Sequence, residues 1–549
     1  MTTSVAKKSP YQLLQKIRTR TDLKLKPLKH LKPTFTDFNG QERPLVVRYY
    51  QIQGIAHLVA MRQFLLGDDT GLGKTIEAIG ALCFLWGSDP NLKSMVLTTK
   101  SSAPQWVREF SKFTTGIKVV LCQGTPVQRE KARKTFEESD GPTVIVMGYR
   151  SALQDFRHIQ DWEKYILIAD ECSVFKNPAT QVHRMCRHLS TKSARIWALT
   201  ATLIKNNLME GYGIYQIVAP GLFQSGGRMM SKNQFMLYFC ITRMQQIPRS
   251  NRQIPVIVGY HKDKIKEFRD LIDPVFLGRP KHAVAKDLPV VVMRNIEVDL
   301  TTAQEDKYIE AMGDLLLIGE GTKVTEKETS KLTALIYHQE IVNDLGLIGI
   351  TGESPKLDAL VDLLIEGDLA DEKVIVYSRF KKFVDIIVAR LRKHKINTVR
   401  ITGDENSAQR DDAMQEFQNP DSDVRVVCLT AAGAESINLQ AAKALICMDT
   451  PWSAGDFLQL IGRMIRIGST HDRCYVIHML ARAKGFGKTD TIDHAVMKTL
   501  HRKMVLIEAV LGKRLKGVAD DKFVISADND ISDLFTELKS TLQGGGGPA

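Results

Sequence analysis

Short apolar runs rich in β-branched residues alternate with amphipathic stretches in two parts of the chain. Between residues 41 and 220 the runs are SMVLTT, KVVLC, TVIVMGY, YILIAD and RIWALT, and between 353 and 515 they are KVIVYSRF, NTVRITG, VRVVCLT, KALICMD and CYVIHML. Strands that alternate with helices predict a parallel sheet covered by helices. The sequence therefore predicts an α/β protein with two parallel-sheet lobes.

Three other segments lack this alternation. Residues 1–40 are polar and Lys-rich (KLKPLKHLKP), with prolines that oppose a long helix, and are predicted to form a basic, extended and solvated arm. Residues 221–352 show helical spacing, as in KIKEFRDLIDPVF and KLTALIYHQEIVNDLGL, and are predicted to form a helical insert and connector. Residues 516–549 end in GGGGPA and are predicted to be a flexible tail.

Composition indicates the class of binding partner and the cellular compartment. At 549 residues the chain is too long for one hydrophobic core, so two or more domains are expected. Its 75 Lys and Arg against 62 Asp and Glu leave a net charge of +13, which suits a polyanionic partner but also serves solubility. The 8 cysteines are scattered without a C-x-x-C pair, which is typical of reduced core residues in a cytoplasmic protein. Long apolar runs are missing, so no membrane partner is expected.

The segment GDDTGLGKTIEAIGAL contains the parts of a phosphate-binding loop. Gly71 and Gly73 allow backbone N–H groups to curl around an anion, Lys74 would reach the terminal phosphates, and the Thr75 hydroxyl would ligate Mg²⁺. The strict pattern begins with glycine where this chain has Asp68. Taken alone, the octamer could therefore also be a glycine-rich turn without function.

Two adjacent acids follow this loop by about a hundred residues. In YILIADEC they come at the end of an apolar strand. Asp170 would hold Mg²⁺ and Glu171 would act as the base that orients the attacking water. Adjacent acids often mark only a turn, but a phosphate loop needs such a partner, and the two motifs together predict ATP hydrolysis.

The order of motifs resembles the Swi/Snf-like branch of superfamily-two helicases, from about residue 45 to 480. RYYQIQG is similar to the adenine-reading segment of that branch, and DDTGLGKT and DECSVFKN resemble its first and second motifs. VLTTKSSAPQWVREFSKF, ALTATLIKNNLMEGYGI and VFLGRPKHAVAKDLP extend the match in the first lobe. ITGDENSAQRDDAMQEF, LTAAGAESINLQAA and QLIGRMIRIG extend it in the second. The resemblance implies two RecA-like lobes with the helical insert between them.

The resemblance also assigns residues to roles. For ATP binding it implies Gln51, Asp69, Thr70, Gly71, Leu72, Gly73, Lys74, Thr75 and Gln459. Arg463 and Arg466 would supply positive charge to the reacting phosphate, and their spacing predicts that both lie on one helical face. For nucleic-acid contact it implies Lys100, Ser101, Ser102, Thr402, Arg410 and Thr430.

Two positions depart from the family pattern. Ser173 stands where the second motif normally has histidine, a position associated with coupling rather than with magnesium or water. Ala201 is a mild change in the third motif. Coupling is therefore the property that these departures put in doubt, whereas the phosphate, metal and water contacts remain.

The resemblance implies an ATP-dependent translocase on double-stranded DNA that acts as a monomer and displaces or remodels bound protein. One alternative is a strand-separating helicase in repair or restriction, for which no pin or nuclease motif is recognised. Another is an ATP-dependent remodeller of a protein machine such as RNA polymerase. Without a recognisable histone-reading or zinc-binding motif, we expect a compact motor in the cytoplasm of a bacterial or virus-infected cell, with the nucleus as the alternative.

Overall fold

A computed structural model gives the fold of two compact units. It describes residues 10–36, 41–204, 207–246, 253–285, 288–319, 331–434, 437–466, 469, 471–484 and 490–511. Unit 1 comprises the described residues up to 285 together with 507–511, and unit 2 comprises those from 288 to 506. The predicted tail, 516–549, lies outside the described residues.

Unit 1 contains thirteen of the described strands and twelve of the described helices. The strands are β1 (Thr34–Thr36), β2 (Glu42–Pro44), β3 (Gln63–Leu66), β4 (Lys93–Thr98), β5 (Lys118–Cys122), β6 (Thr143–Gly148), β7 (Ile166–Asp170), β8 (Arg195–Leu199), β9 (Gln224–Ser225), β10 (Arg228–Met229), β11 (Cys240–Gln246), β12 (Gln253–Tyr260) and β13 (Phe276–Leu277). The helices are α1 (Pro10–Arg18), α2 (Tyr49–Ala60), α3 (Lys74–Ser88), α4 (Ala103–Phe113), α5 (Pro126–Glu137), α6 (Tyr149–Gln154), α7 (Phe156–Ile159), α8 (Gln181–Lys192), α9 (Leu208–Val218), α10 (Lys232–Phe239), α11 (Lys262–Ile272) and α12 (Lys281–Val284).

The main sheet of unit 1 is parallel throughout. Its seven strands lie in the order β13-β3-β8-β7-β4-β6-β5. Every residue of β6 is buried, as expected for an apolar run in a sheet covered on both faces. Because all strands run in one direction, the loops that follow them lie together at the carboxyl-terminal ends of the strands, along one edge of the sheet.

Unit 2 contains a second parallel sheet. Its strands are β14 (Val290–Asp299), β15 (Val374–Tyr377), β16 (Thr398–Ile401), β17 (Val426–Leu429), β18 (Ala444–Cys447) and β19 (Arg473–Arg482), in the order β14-β19-β18-β15-β17-β16. Its helices are α13 (Thr302–Gly319), α14 (Lys331–Asn343), α15 (Pro355–Ile365), α16 (Lys381–Lys393), α17 (Ser407–Gln418), α18 (Ala454–Met464) and α19 (Ile492–Leu511), of which residues 492–506 belong to this unit. The prediction of an α/β protein with two parallel-sheet lobes is confirmed.

The N-terminal segment, predicted as an extended and solvated arm, is folded against unit 1 where it is described. Helix α1 buries Leu14, which is 3% exposed. Arg18 Nη1 donates to Asp273 Oδ1 at 2.7 Å, and its Nη2 donates to the carbonyl oxygen of Phe276 at 2.8 Å. The prediction of a solvated arm was wrong because distant partners bind the segment, and charge composition does not reveal them.

The segment 221–352, predicted to be helical, is only partly so. Helices α11 and α14 form in the two stretches that showed helical spacing. Strands β11 and β12 form an antiparallel hairpin, however, and β14 pairs over ten residues with β19 at the edge of the second sheet. A strand that pairs only at a sheet edge carries a weak burial pattern, so the local sequence did not indicate it.

Two further expectations concern side-chain chemistry and membrane association. All 8 cysteines are buried and free of disulfide bonds, as predicted for reduced core residues. Over the described ranges, no helix combines the length and the apolar character that crossing a bilayer requires.

Candidate functional site

The predicted phosphate loop connects β3 to α3. Gly71 and Gly73 have φ angles of +84° and +90°, in the left-handed region that glycine enters without steric cost. Helix α3 begins at Lys74, so its first unpaired N–H groups face the loop. Lys74 Nζ donates to the carbonyl oxygens of Asp68 at 2.8 Å and of Asp69 at 3.4 Å. The loop therefore has the two features that a phosphate-binding loop requires, a left-handed glycine backbone and a lysine at the start of the following helix.

Gln51, predicted to read the adenine base, ties helix α2 to this loop. Its Nε2 donates to the carbonyl oxygen of Leu72 at 2.9 Å, and its Oε1 accepts from the backbone N–H of Arg48 at 2.9 Å. A Cβ atom on Gly73 would lie 2.5 Å from Gln51 Nε2. Gly73 is therefore required both for its φ angle and for the space that Gln51 occupies.

Arg279 is one residue of this site that the sequence analysis missed. Its Nε donates to Asp68 Oδ1 and Oδ2 at 2.9 and 3.0 Å, and its backbone N–H donates to Asp68 Oδ1 at 2.9 Å. Its Nη2 donates to Glu77 Oε2 at 3.1 Å. The signal was present in the sequence, since an acid at the first loop position, where glycine is usual, needs a buried cation as partner.

Burial controls the charges in this cluster. Asp68 and Glu77 are both 0% exposed. Burial raises the pKa of Glu77 well above its ordinary value, although Arg279 opposes this shift. Burial alone would lower the pKa of Arg279, but the carboxylates of Asp68 and Glu77 raise it. The arginine thus stays charged and holds the start of the phosphate loop.

Asp170, the predicted metal ligand, ends strand β7. Its Oδ2 accepts from Thr98 Oγ1 at 2.9 Å and from Trp106 Nε1 at 2.8 Å. Within the described residues both bonds use Oδ2, so Oδ1 is the oxygen that could face a magnesium-bound water. Carboxylate and hydroxyl oxygens are the ligands that Mg²⁺ prefers, so Asp170 and the half-buried Thr75 fit this ion. The sequence did not indicate the roles of Thr98 and Trp106.

Glu171, the predicted catalytic base, has a strained backbone. Its φ angle is +50°, in the left-handed region that is uncommon for a residue with a side chain. A 3₁₀ turn, Cys172–Phe175, follows directly. Because β3 and β7 are parallel and separated only by β8, the phosphate loop and the acids lie at the same sheet edge, two strand spacings or roughly 10 Å apart.

The two positions that depart from the family pattern lie close to this edge. Ser173 is in the 3₁₀ turn, where its carbonyl oxygen accepts from the backbone N–H of Lys176 at 3.3 Å. Ala201 is buried between Thr200 and Thr202, and the Thr200 hydroxyl oxygen accepts from the backbone N–H of Thr202 at 3.1 Å. Neither residue contacts the phosphate loop through a described hydrogen bond.

The predicted nucleic-acid contacts of unit 1 lie together after strand β4. Lys100 is exposed. The hydroxyl groups of Ser101 and Ser102 lie 3.0 and 2.9 Å from Thr99 Oγ1, and helix α4 begins at the next residue. These hydroxyls shape the turn, which presents Lys100 to solvent.

The predicted contacts of unit 2 follow β16 and β17. Thr402 is buried, and its hydroxyl donates to Glu405 Oε2 at 2.8 Å. Arg410 Nη2 donates to the carbonyl oxygen of Thr402 at 2.9 Å. The backbone N–H of Thr430 donates to the carbonyl oxygen of Ile401 at 3.3 Å. The structure thus brings the three residues together, with the Thr402 hydroxyl bonded inside its own loop.

Gln459 and Arg463 lie on α18, whereas Arg466 lies beyond its end. The helix stops at Met464, and Ile465 is extended, with φ −89° and ψ 96°. Arg466 Nε donates back to the carbonyl oxygen of Gly462 at 3.1 Å. The prediction that Arg463 and Arg466 lie on one helical face was therefore wrong. Ile465 is β-branched and buried, so its packing outweighs another helical turn.

Comparison with known proteins identifies two regions of similarity. The SNF2-related domain matches residues 50–347, and the helicase conserved C-terminal domain matches residues 355–468. These ranges include the phosphate loop, the adjacent acids and both arginines.

Three curated relatives give the extent of the similarity. The chain is 23% identical over 482 residues to nuclear protein STH1/NPS1 of Saccharomyces cerevisiae, 25% over 503 to ATP-dependent DNA helicase DDM1 of Arabidopsis thaliana, and 26% over 488 to chromodomain-helicase-DNA-binding protein 1-like of Mus musculus. The matches cover 83%, 85% and 85% of this chain but 34%, 62% and 50% of those proteins. The chain thus spans about a third to three fifths of their length.

Among solved structures, the chain is similar to the Sulfolobus solfataricus SWI2/SNF2 ATPase core in complex with dsDNA. The sequences are 24% identical, the match covers 91% of this chain and 97% of that one, and the TM-score is 0.40.

Proposed function

Because the chain belongs to the SNF2-related family of helicase-type ATPases, we propose that it hydrolyses ATP to move along double-stranded DNA. The observation that supports the proposal is the set of residues at the carboxyl-terminal ends of the strands in the seven-stranded sheet. There the phosphate loop with Lys74 and the acids Asp170 and Glu171 follow parallel strands of one sheet. A phosphate-binding cation beside a metal-binding and a water-orienting acid is the arrangement that phosphoryl transfer needs.

Each residue has a distinct task in this proposal. Lys74 moves from the loop carbonyls to the terminal phosphates, whose charge it neutralises. Asp170, held by Thr98 and Trp106, and Thr75 would hold Mg²⁺, which would supply positive charge against the phosphate oxygens. Glu171 accepts the proton of the attacking water. The left-handed backbone of Glu171 fixes the direction of its side chain relative to Asp170.

Unit 2 supplies the second half of the chemistry in this proposal. Arg463 and Arg466 stabilise the charge that develops on the transferred phosphoryl group, and Gln459 contributes to nucleotide binding. An arginine in this role raises the rate about a thousandfold or more. Hydrolysis that depends on residues from both units would couple each catalytic cycle to a change in the protein, which is the basis of movement.

Backbone contacts to duplex DNA would convert that change into translocation by a monomeric motor. Lys100 with Ser101 and Ser102 would contact phosphates from unit 1, and Thr402, Arg410 and Thr430 from unit 2. Phosphate contacts carry little sequence information and depend strongly on salt. We therefore expect movement on any duplex sequence, with displacement of proteins bound to it.

The test is the rate of ATP hydrolysis without nucleic acid and with single-stranded DNA, duplex DNA or RNA, followed by strand displacement. We expect strong stimulation by duplex DNA, displacement of the third strand of a triplex, and no unwinding of a forked duplex. Efficient unwinding of the fork would replace the translocase with a strand-separating helicase. Hydrolysis that ignores every nucleic acid would instead favour a remodeller of a protein machine.

A further inference from the structure

A hairpin outside the nucleotide site rises from the surface of unit 1. Strands β11 and β12 pair from Cys240 opposite Tyr260 to Gln246 opposite Gln253. Cys240, Ile257 and Tyr260 are buried at its base. Towards the other end Arg243 and Gln245 are exposed. No third strand joins this pair among the described residues.

The base of the hairpin packs against a buried aromatic cluster. In this cluster the rings of Phe235 and Phe239 lie 4.6 Å apart, and Phe223 stacks on Phe268 at 5.5 Å. All four rings are buried. Close packing of this kind restrains the adjoining backbone, so the base of the hairpin is anchored to unit 1.

The distal half exposes an apolar side chain on each face. Met244 is 55% exposed and Ile254 is 48% exposed. Met244 pairs with Pro255, whereas Ile254 pairs with Gln245, so the two side chains point to opposite faces of the ribbon. A two-stranded ribbon is marginally stable in water, and exposed apolar groups on both faces add nothing to its own stability. They are suited to a partner that encloses the ribbon.

The charged residues of the hairpin segment indicate which partner it binds. Residues 240–260 contain Arg243, Arg249 and Arg252 but no Asp or Glu. In the described strands the exposed charge is Arg243, and neither strand contains an acid. This part of the ribbon is therefore complementary to a phosphate backbone. A groove of duplex DNA is wide enough for a two-stranded ribbon, and apolar side chains pack against sugars and base edges within it.

We infer that the distal half of the β11–β12 hairpin is an additional contact with duplex DNA. Arg243 pairs with a backbone phosphate, while Met244 and Ile254 pack against the walls of a groove. The inference rests on the proposed function, because it takes duplex DNA as the substrate. It adds a contact that the helicase-like motifs do not include, and it would lengthen the time that unit 1 remains on the duplex.

The test measures binding of a fluorescent duplex of about 30 bp by anisotropy, between about 50 and 200 mM salt. Arg243→Ala should weaken binding and reduce the slope of log affinity against log salt by about 0.9, because one phosphate contact is lost. The double variant Met244→Ser/Ile254→Ser should weaken binding about five- to tenfold at every salt concentration and leave the slope unchanged, because an apolar contact releases no counterions.

Matched controls come from the same unit. Lys131→Ala removes an exposed positive charge on α5, and Val46→Ser/Val127→Ser removes two exposed apolar side chains. Both controls should bind duplex DNA like the unaltered chain, and all variants should hydrolyse ATP without DNA at the unaltered rate. A photo-crosslinking residue at position 244 should react with the duplex, a readout that does not depend on truncating the hairpin.

The outcomes separate the inference from the proposed function. Hairpin variants that bind and crosslink like the controls would overturn the inference, while duplex-stimulated hydrolysis by the unaltered chain would still support the function. An unaltered chain that neither binds nor responds to duplex DNA would overturn both. Fork unwinding that only the hairpin variants lose would make the element a strand-separating pin and would also overturn the duplex contact.

Discussion

Arg279 Nε contacts both carboxylate oxygens of Asp68, at 2.9 and 3.0 Å, and so joins the start of the phosphate loop to a residue 211 positions later. Two further hydrogen bonds reinforce the join. Asp69 N–H donates to the carbonyl oxygen of Arg279 at 3.1 Å, and Lys281 N–H donates to the side-chain Oδ2 of Asp69 at 2.9 Å. The segment that follows the short edge strand β13 thus holds the start of the phosphate loop in place.

The first prediction concerns this pair. Arg279→Ala should lower the free energy of unfolding by about 3–5 kcal/mol, because it leaves two buried carboxyl groups without their cation. Urea unfolding of the full chain measures the loss. Arg279→Lys should retain part of the stability but bind ATP more weakly, since one ammonium cannot reach Asp68, Glu77 and the carbonyl oxygen of Tyr50 together. Wild-type stability in Arg279→Ala would contradict the assignment.

The second prediction separates nucleotide binding from chemistry. Lys74→Ala should weaken ATP binding and abolish hydrolysis, because the loop loses the cation that neutralises phosphate. Glu171→Gln should bind ATP normally but hydrolyse it at least a hundredfold more slowly, roughly the contribution of a general base. Titration with a fluorescent ATP analogue and steady-state turnover measure the two effects. Unchanged turnover in Glu171→Gln would remove that residue from the role of base.

The third prediction concerns the arginines of unit 2. Arg466→Ala should lower turnover by about a thousandfold while the affinity for ATP falls much less, because the guanidinium acts mainly on the charge of the transition state. Arg463→Ala should behave similarly. Lys443→Ala, elsewhere in unit 2, serves as the control for removal of a positive charge. Normal turnover in both arginine variants would refute an active site that draws on both units.

The fourth prediction is a loss of stability in mild acid through His57. Its Nδ1 lies 2.7 Å from the carbonyl oxygen of Gln53, and its Nε2 accepts from Arg18 Nε at 3.1 Å, an arrangement that requires the neutral ring. Burial lowers the pKa of His57 from 6.5 to about 4. The unfolded chain therefore binds a proton between pH 6.5 and 4 that the folded chain does not bind. Stability present above pH 6.5 should fall by up to about 1.4 kcal/mol per pH unit across this range.

The measurement is urea unfolding at several pH values with His57→Gln as the comparison. Glutamine can donate to the Gln53 carbonyl oxygen and accept from Arg18, but it does not titrate. The variant should therefore lose stability less steeply in acid than the unaltered chain. A second buried histidine, His478, whose pKa burial also lowers to about 4, should maintain part of the slope. Identical slopes for the two proteins would show that His57 does not contribute.

The sequence by itself determined the features whose signals are local. Runs such as TVIVMG predicted strands that are buried on both faces, because β-branched apolar residues favour this environment. Gly71 and Gly73 predicted a loop whose backbone curls, which the structure forms with left-handed φ angles, and the acids in YILIADEC were predicted at the end of a strand. In each case the residues that form the feature lie within a few positions of one another, so periodicity and backbone preference are sufficient.

Only the tertiary structure decided which distant residues meet. Arg279 as the partner of Asp68, Trp106 as a donor to Asp170 and β14 as the edge of the second sheet each depend on pairs that the chain brings together over long separations. The end of α18 before Arg466 likewise depends on the burial of Ile465. Desolvation and packing of the whole unit set these contacts, and neither is visible in the pattern of neighbouring residues.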